Sequence, residues 1–266
     1  MGLIRRILFL QLIDSHIHLN SLLYKNLLDI LSKARSLGIS GWIVPGTGLA
    51  DIEAQVSLKT AYQGIDNGFG VHPWYVTSIS DGWQAVLADA LLQHQAIAIG
   101  ECGLDFSTDE LITQKARQLM VFEAQVELAQ SLNLPLIIHS YKAVDQVLKI
   151  LRHYPTVRGV FHSFNGSLQQ LEQIMDLGYY IGMGGAVTYH RAKRMQQNLL
   201  QIPLSRLLLE TDGPYQVGAY RTKGEMHYPE DLYQIAQSIA QQRSLTLEDL
   251  AKITTENVVQ LFNLEL

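Results

Sequence analysis

The strongest constraint on the fold is a set of eight short apolar runs, each followed by a longer segment with helical spacing. The runs are rich in Ile, Val and Leu and lack the alternation of a strand that has one wet face. Such runs are typical of strands that are buried on both faces of a parallel sheet. They are Phe9–Ile13, Gly41–Val44, Gly68–Val71, Ala96–Ile99, Leu134–Ile138, Gly159–Phe161, Tyr179–Ile181 and Arg206–Leu209.

The segments between the runs have the spacing of amphipathic helices. Glycines that favour the end of a helix follow two of them. The predicted helices are Leu22 to Leu37 before Gly38, Leu111 to Leu132 as the longest, Val144 to Leu151, Leu168 to Leu177 before Gly178, and two or three over Pro229 to Leu264.

Eight alternations of strand and helix without a break in composition predict an α/β fold, a (β/α)8 TIM-type barrel with extra C-terminal helices. A length of 266 residues suits one such domain, over residues 1–266. An open doubly wound sheet is the alternative. No Gly-x-Gly-x-x-Gly follows the first run, so the dinucleotide-binding form of that fold has no support.

Charge and cysteine content restrict the function. The formal net charge is -5, whereas a protein that coats nucleic acid is usually basic because it displaces counterions from phosphates. An enzyme whose metals meet one phosphate locally stays possible. Cys102 is the single cysteine, so no intramolecular disulfide is expected; we interpret it as a small buried residue and expect a cytoplasmic protein.

The apolar segment from Ile7 to Ile13 resembles either a signal peptide or a first core strand. Gln11 interrupts it, Asp14 ends it, and no small-residue cleavage site follows, which favours the strand. No stretch approaches 18 uninterrupted apolar residues, so no membrane span is predicted. The sequence indicates no obligate protein partner.

Chemically active side chains follow the apolar runs. In a barrel these positions are the carboxyl ends of the strands, which meet at one end of the molecule. The residues concerned are His16 and His18 after the first run, His72 after the third, Glu101 after the fourth, His139 after the fifth, His162 after the sixth and Asp212 after the eighth.

Each of these signals is weak alone. His16 and His18 share a face in an extended strand, but such a pair is as often two surface histidines. His139 or His162 alone is more often a hydrogen-bonded core residue, and Asp212 lies in Thr-Asp-Gly-Pro, which also suits a capped turn. As a set they are more informative, because it would be costly in free energy to bury four histidines and two carboxylates together without a cation.

The set is too large for one tetrahedral ion that keeps an open position, and it fits two divalent ions with Glu101 as the bridge. Imidazole and carboxylate together suit Zn²⁺, Mn²⁺ or Fe²⁺, and carboxylate-rich variants admit Mg²⁺. Two ions can clamp a phosphodiester and activate a water, with Asp212 accepting its proton. We therefore predict Asp212 and Glu101 as catalytic residues.

Together these segments resemble the TatD family of metal-dependent deoxyribonucleases, within the amidohydrolase-like barrels. The resemblance covers Ile13 to Phe262, with Thr255-Glu256-Asn257 near its end. Six motifs in order make it specific. They are Asp14-Ser15-His16-Ile17-His18, Gly70-Val71-His72-Pro73, Ile99 to Asp105, Leu134 to His139, His162-Ser163-Phe164-Asn165-Gly166 and Leu209 to Pro214.

The resemblance implies a nucleic acid substrate, with DNA as the first choice and 3′–5′ exonuclease activity in the cytoplasm. It implies His72 as a phosphate contact. Arg221 is equally well interpreted as a backbone contact or as an exposed loop charge. It also implies the ligand set His16, His18, Glu101, His139, His162 and Asp212 for a divalent-metal centre.

Two segments depart from the family pattern. Glu225-Met226-His227-Tyr228-Pro229 stands where many members carry Asn shortly before a proline, and Phe106 replaces a usual Tyr. The first puts the substrate in doubt, because that loop borders the site. The alternatives are a metal-dependent hydrolase of an ester or amide, such as D-aminoacyl-tRNA, and a noncatalytic barrel with structural histidines.

Overall fold

The structure, a computed structural model, describes residues 10–222 and 224–265. Its eight strands form one sheet in the order β1 to β8, and each neighbouring pair is parallel. The strands are β1 Leu12–Asp14, β2 Ile39–Pro45, β3 Ile65–Phe69, β4 Ala98–Asp105, β5 Leu136–Tyr141, β6 Gly159–Phe161, β7 Tyr180–Met183 and β8 Leu207–Leu209.

Helices connect successive strands, and two more follow β8. They are α1 Leu27–Ser36, α2 Ile52–Ala61, α3 Trp83–Gln93, α4 Asp109–Thr113, α5 Lys115–Leu132, α6 Val144–Leu151, α7 Leu168–Asp176, α8 Lys193–Gln201, α9 Leu232–Gln242 and α10 Leu247–Phe262. No helix within the described residues is long and apolar enough to cross a membrane.

Backbone contacts join the last strand to the first. The Ser15 amide donates to the carbonyl of Leu209 at 2.9 Å, and the Asp212 amide donates to the carbonyl of His16 at 2.8 Å. Together with the sequential parallel order, these bonds form a nearly closed barrel with helices around it. The predicted TIM-type fold is therefore confirmed.

The core has two parts, which follow from the alternation of side chains along each strand. One set of side chains, which includes Ile13, Ile43 and Leu208, fills the barrel interior together with Val258 and Phe262 of α10. A larger set packs the strands against the surrounding helices. The helix α10 therefore packs against the barrel interior, with its contacts to β1 and β8, and leaves the carboxyl end of the barrel to the site.

Several element boundaries differ from the predictions. The helix α1 begins at Leu27 rather than Leu22, whose side chain is 88% exposed. The predicted helix from Leu111 to Leu132 is broken at Gln114, because the side chain of Gln118 donates to the carbonyl of Leu111 at 2.9 Å and to that of Asp105 at 3.0 Å.

The strands β4 and β5 continue past their apolar runs, so Glu101 and His139 lie inside strands rather than after them. Within the described residues the first strand begins at Leu12, and Leu10 and Gln11 before it are not in a strand. Phe9 lies outside the described residues, together with Ile7 and Leu8 of the segment weighed as a signal peptide.

Candidate active site

The carboxyl end of the barrel brings the six predicted metal ligands together. His16 and His18 lie in the loop after β1, Glu101 in β4 and His139 in β5. The remaining two follow β6 and β8; they are His162 and Asp212. Residues separated by up to 196 positions in the chain therefore share one buried cluster, as the barrel topology requires.

The two carboxylate oxygens of Glu101 face two different groups of side chains. Its Oε2 lies 3.5 Å from His16 Nε2 and 3.4 Å from His18 Nε2. Its Oε1 lies 3.1 Å from His139 Nδ1 and 3.0 Å from His162 Nε2. Asp212 completes the first group, since its Oδ1 lies 3.5 Å from His16 Nε2 and 3.4 Å from His18 Nε2.

This donor set fits divalent cations. The Nε2 atoms of His16 and His18 are 3.3 Å apart, and His139 Nδ1 is 3.2 Å from His162 Nε2. Ring nitrogens of four histidines thus converge on carboxylate oxygens in a buried place, and groups of three such donor atoms lie within 4.8 Å of one another. Imidazole nitrogen and carboxylate oxygen are the donors that transition-metal ions and Zn²⁺ take in proteins.

Burial opposes charge throughout the cluster, yet charges persist because they compensate one another. At Glu101 and Asp212 burial raises the pKa, but the surrounding histidines outweigh it and lower the pKa of both carboxyl groups. Burial lowers the pKa of His18, but hydrogen bonds to Asp212 and Glu101 outweigh it and raise the pKa to about 10. A divalent cation would therefore compete with protons here.

Two further ligand candidates, His139 and His16, differ from each other in their pKa. Burial lowers the pKa of the partly buried His139, but Asp105 and Glu101 outweigh it and raise the pKa to about 9. For His16, burial and the neighbouring His162 lower the pKa to about 4, so its ring is neutral at physiological pH. A neutral ring keeps a lone pair for a metal.

Asp105, the last residue of the motif that begins at Ile99, orients His139. Its Oδ2 accepts from His139 Nε2 at 3.0 Å and from the indole of Trp74 at 2.9 Å, and its Oδ1 accepts from the Ser107 amide at 2.8 Å. A carboxylate behind a ligating imidazole fixes its orientation and tautomer. Without an ion, Nδ1 of His139 donates to Glu101; with an ion bound, a proton kept on Nε2 by Asp105 would leave Nδ1 free as a ligand.

Asp14 and Glu210 support the loops that carry the candidate ligands. Asp14 accepts from the amides of His16 at 3.2 Å and Thr211 at 3.0 Å, so it joins the loops after β1 and β8. Glu210 accepts from the Ser163 amide at 2.5 Å. Neither function could be inferred from the sequence, because the partner groups are mostly backbone amides of distant segments.

Gly182 makes room for Glu210. A Cβ atom built at this position in β7 would lie 2.1 Å from Glu210 Oε2, which is far inside van der Waals contact. Only glycine therefore allows the Glu210 carboxylate to lie beneath the loop that carries His162.

His72, the predicted phosphate contact, lies within the cluster. Its Nδ1 accepts from the Trp74 amide at 3.1 Å, and its Nε2 lies 3.4 Å from Glu101 Oε1. A neutral imidazole that accepts at Nδ1 carries its proton on Nε2. Burial lowers the pKa of His72 and so keeps the ring neutral. His72 therefore presents an N–H donor at the site rather than a lone pair.

Arg221 is not brought to the cluster. Its guanidinium donates to both oxygens of Asp231, with distances of 2.8 to 3.1 Å, and lies over the ring of Tyr228 at 5.1 Å. It is not among the described residues that line the cavity above the ligands. Its predicted contact with the nucleic acid backbone stays a prediction.

The cluster forms the floor of a cavity of about 660 Å³ at the mouth of the barrel. Its rim carries four exposed aromatic side chains, Trp74, Tyr75, Tyr141 and Tyr215. Gln216 reaches from the rim to the floor, where its side-chain amide donates to Asp212 Oδ2. The space is of the size that usually accepts a small molecule or one end of a larger one.

The sequence profile described as TatD related DNase matches residues 13–263, which include all of these side chains. The chain belongs to the TatD-related DNase family. Individual family members are also similar to this chain over most of its length. YabD of Bacillus subtilis, described as an uncharacterized metal-dependent hydrolase, is 32% identical over 96% of this chain and 100% of its own length.

Two further relatives connect the TatD family to a structure and to an activity. The 3′–5′ ssDNA/RNA exonuclease TatD of Klebsiella pneumoniae is 32% identical over 89% of this chain and 92% of its own length. The crystal structure of the TatD homologue YjjV from Escherichia coli superposes with a TM-score of 0.90 at 30% identity, covering 97% of this chain and 100% of that one. The chain is accordingly a metal-dependent hydrolase of the TatD family.

Proposed function

We propose that this TatD-family chain hydrolyses phosphodiester bonds of DNA as a 3′–5′ exonuclease, with two divalent ions held by His16, His18, Glu101, His139, His162 and Asp212. The division of the Glu101 carboxylate carries the proposal, because each of its oxygens faces a separate group of nitrogen donors. One carboxylate between two donor groups is what a pair of ions about 3.5–4 Å apart requires.

Bound ions of this kind act as Lewis acids and lower the pKa of a water molecule. Asp212 is suited to accept the proton of that water. The neighbouring histidines keep its carboxyl group ionised, and Gln216 fixes its second oxygen. Glu101 is suited to fix the position of the two donor groups relative to each other, since it contacts members of both.

His72 is suited to bind the substrate. Its Nε2 proton faces the cavity floor beside Glu101, where the non-bridging oxygen of a phosphate can accept it. The ring is fixed at the other nitrogen by the Trp74 amide, so the donor is oriented before substrate arrives. Fixed donors of this type stabilise charge that develops on an oxygen during the reaction.

The aromatic rim supports a nucleic acid substrate. Trp74 and Tyr215 are each 57% exposed although they are large and apolar. Bases of a single strand stack on such side chains regardless of sequence. The Klebsiella relative, a 3′–5′ exonuclease of ssDNA and RNA, supports this choice of substrate.

The test is digestion of end-labelled single- and double-stranded DNA and RNA with Mg²⁺, Mn²⁺ and Zn²⁺ in parallel. We expect a 3′ label to leave at once as a mononucleotide and a 5′ label to give a ladder of shortening strands. EDTA should stop both. Asp212→Ala should lower turnover by about 10³-fold or more, and His16→Ala should act similarly, whereas Asp109→Ala on the exposed helix α4 should not.

A panel of amides, lactones and D-aminoacyl esters run beside the oligonucleotides decides the substrate class. Hydrolysis of one of these with no cleavage of any phosphodiester would refute the proposal. Wild-type rates in Asp212→Ala would refute the assigned site.

A further inference from the structure

The cavity above the candidate metal ligands adjoins a second cavity of about 550 Å³. Four residues line both spaces: His139, Tyr141, His162 and Gln216. A third cavity of about 500 Å³ adjoins the second and shares Asn165 and Arg194 with it, among other residues. The three adjoining cavities thus extend from the candidate metal ligands to the start of α8, and we call the second and third of them the groove.

Basic side chains are concentrated along this groove, although the chain as a whole is acidic. Its exposed cations are Lys142, Arg191, Lys193 and Arg194, whereas the formal net charge of the protein is -5. The chain carries no Asp or Glu between Asp176 and Glu210, the stretch that supplies three of these four cations. We call the groove together with these four cations the basic groove.

Two of the cations are held in place. The guanidinium of Arg194 donates to the backbone carbonyl of Asn165 at 2.8 Å and to its Oδ1 at 2.9 Å. Arg191 lies over the ring of Tyr189 at 5.0 Å. An arginine whose fork is already oriented loses less conformational freedom when it binds an anion, and its geometry matches the oxygens of a phosphate.

The two sides of the site differ in chemistry. Three of the four rim aromatics, Trp74, Tyr75 and Tyr215, lie outside the second cavity, whereas the groove offers cations and amides. Aromatic side chains bind bases, and basic side chains bind the sugar-phosphate backbone. An acidic protein that engages a polyanion needs its cations concentrated along the path of that polyanion.

We infer that the basic groove binds the phosphate backbone of the single strand whose terminal nucleotide lies in the metal cavity. The inference rests on the proposed nuclease function and adds the path of the uncleaved strand. The groove then contributes affinity for long strands and nothing to the cleavage step itself, because its cations lie beyond the metal ligands.

The test is binding of a labelled single-stranded dodecanucleotide, followed by fluorescence anisotropy in EDTA over a range of salt concentrations. The variant is Lys142→Gln with Lys193→Gln, which leaves Arg194 and its bonds to Asn165 intact. The control is Arg152→Gln with Lys252→Gln, two exposed cations on other faces. Both double variants change the net charge equally.

We expect the groove variant to bind the dodecanucleotide roughly tenfold more weakly than the control at moderate salt, with a salt dependence smaller by about 0.7 per lost phosphate contact. Turnover of bis(p-nitrophenyl) phosphate with metal should be equal in the two variants, because that substrate does not extend beyond the metal cavity.

Equal binding of DNA by the two double variants would overturn the inference, and so would a wild-type protein that binds no DNA. Displacement of the dodecanucleotide by polyglutamate of equal charge at equal concentration would assign the groove to acidic polypeptide and also overturn it. Failure of the proposed function is a separate result, since it is seen as absent phosphodiester turnover in the wild-type protein.

Discussion

At the scale of single residues, Glu101 connects the two halves of the site. Its Oε2 lies within 3.5 Å of nitrogens in the first donor group, and its Oε1 lies within 3.1 Å of nitrogens in the second. Its side chain is almost completely buried. A buried carboxylate in this position is stabilised by the surrounding histidines and would be costly without them. We therefore expect the same residue to determine the occupancy of both proposed ions.

Glu101→Ala should lose both ions, because each donor group is left without its shared oxygen. We expect metal analysis of the purified variant to give less than about a tenth of the wild-type content, following the usual sensitivity of metal affinity to its ligand environment. Glu110→Ala on exposed α4 is the control. Retention of two ions per chain in the Glu101 variant would show that the bridge is misassigned.

Asp105→Asn should weaken metal binding without removing a ligand. The carboxylate accepts from His139 Nε2 and the Trp74 indole at one oxygen and from the Ser107 amide at the other. The amide has only one acceptor oxygen, so one of these two sides meets an NH2 group instead, and the His139 ring loses its fixed orientation. We expect a roughly 10–100-fold loss of metal affinity in a chelator-buffered titration. Activity at saturating metal should recover largely; an affinity equal to that of wild type would contradict the positioning role.

At the scale of the elements, the boundaries show what the sequence can and cannot predict. The eight strands were found because strands buried on both faces are short and continuously apolar. The extension of β4 to Asp105 was not found, because Glu101 and two glycines interrupt the apolar pattern. Pairing with β5 maintains the strand there, through a register that no local pattern records.

The helix α10 offers a test of stability apart from function. Asn257 donates to the carbonyls of Leu204 at 2.7 Å and Leu207 at 2.9 Å and so attaches α10 to the start of β8. Asn257→Ala should lower the free energy of unfolding by about 1–3 kcal/mol, because two carbonyls lose their donor. Urea denaturation measures this effect.

The matched control for Asn257→Ala is Glu256→Ala, whose side chain is 65% exposed. Metal content and turnover per folded molecule should be unchanged in both variants, since α10 lies at the opposite end of the barrel from the site. A large loss of metal in Asn257→Ala would show that the two ends are coupled.

At the scale of the whole molecule, the fold and the meeting of the six candidate ligands followed from the order of runs and the barrel rule that strand ends converge. The residues that orient the candidate ligands and their loops could not be predicted from the sequence. Asp105 and Trp74 are 31 positions apart, and Ser163 and Glu210 are 47 apart, so their pairing exists only in the closed structure. The position of Arg221 beside Asp231 was equally invisible to the motif.

Metal removal should destabilise the whole molecule in a pH-dependent way. His18 and His139 have a raised pKa of about 10 and about 9, so without ions their protonation stabilises the fold below about pH 6.5 and this contribution fades as pH rises through those values. Ions bind the deprotonated rings, so ion affinity rises with pH.

Both effects act in the same direction, so the difference in Tm between metal-loaded and EDTA-treated protein should widen from pH 6 to pH 9. With ions at about 100 times their Kd, the stabilisation is about 2.7 kcal/mol, or roughly 5–10 °C. Differential scanning calorimetry measures it. A Tm difference that narrows as pH rises would contradict the assigned protonation states.

The bonds between the loops after β1 and β8, Ser15 to Leu209 and Asp14 to Thr211, join residues about 195 positions apart. His16 and His18 leave the ribosome early, and Asp212 leaves only when most of the chain has been translated. A nascent chain that ends before Asp212 consequently lacks the complete set of candidate donors, which only the closed barrel brings together. We therefore expect ion binding at the proposed site to follow closure of the barrel.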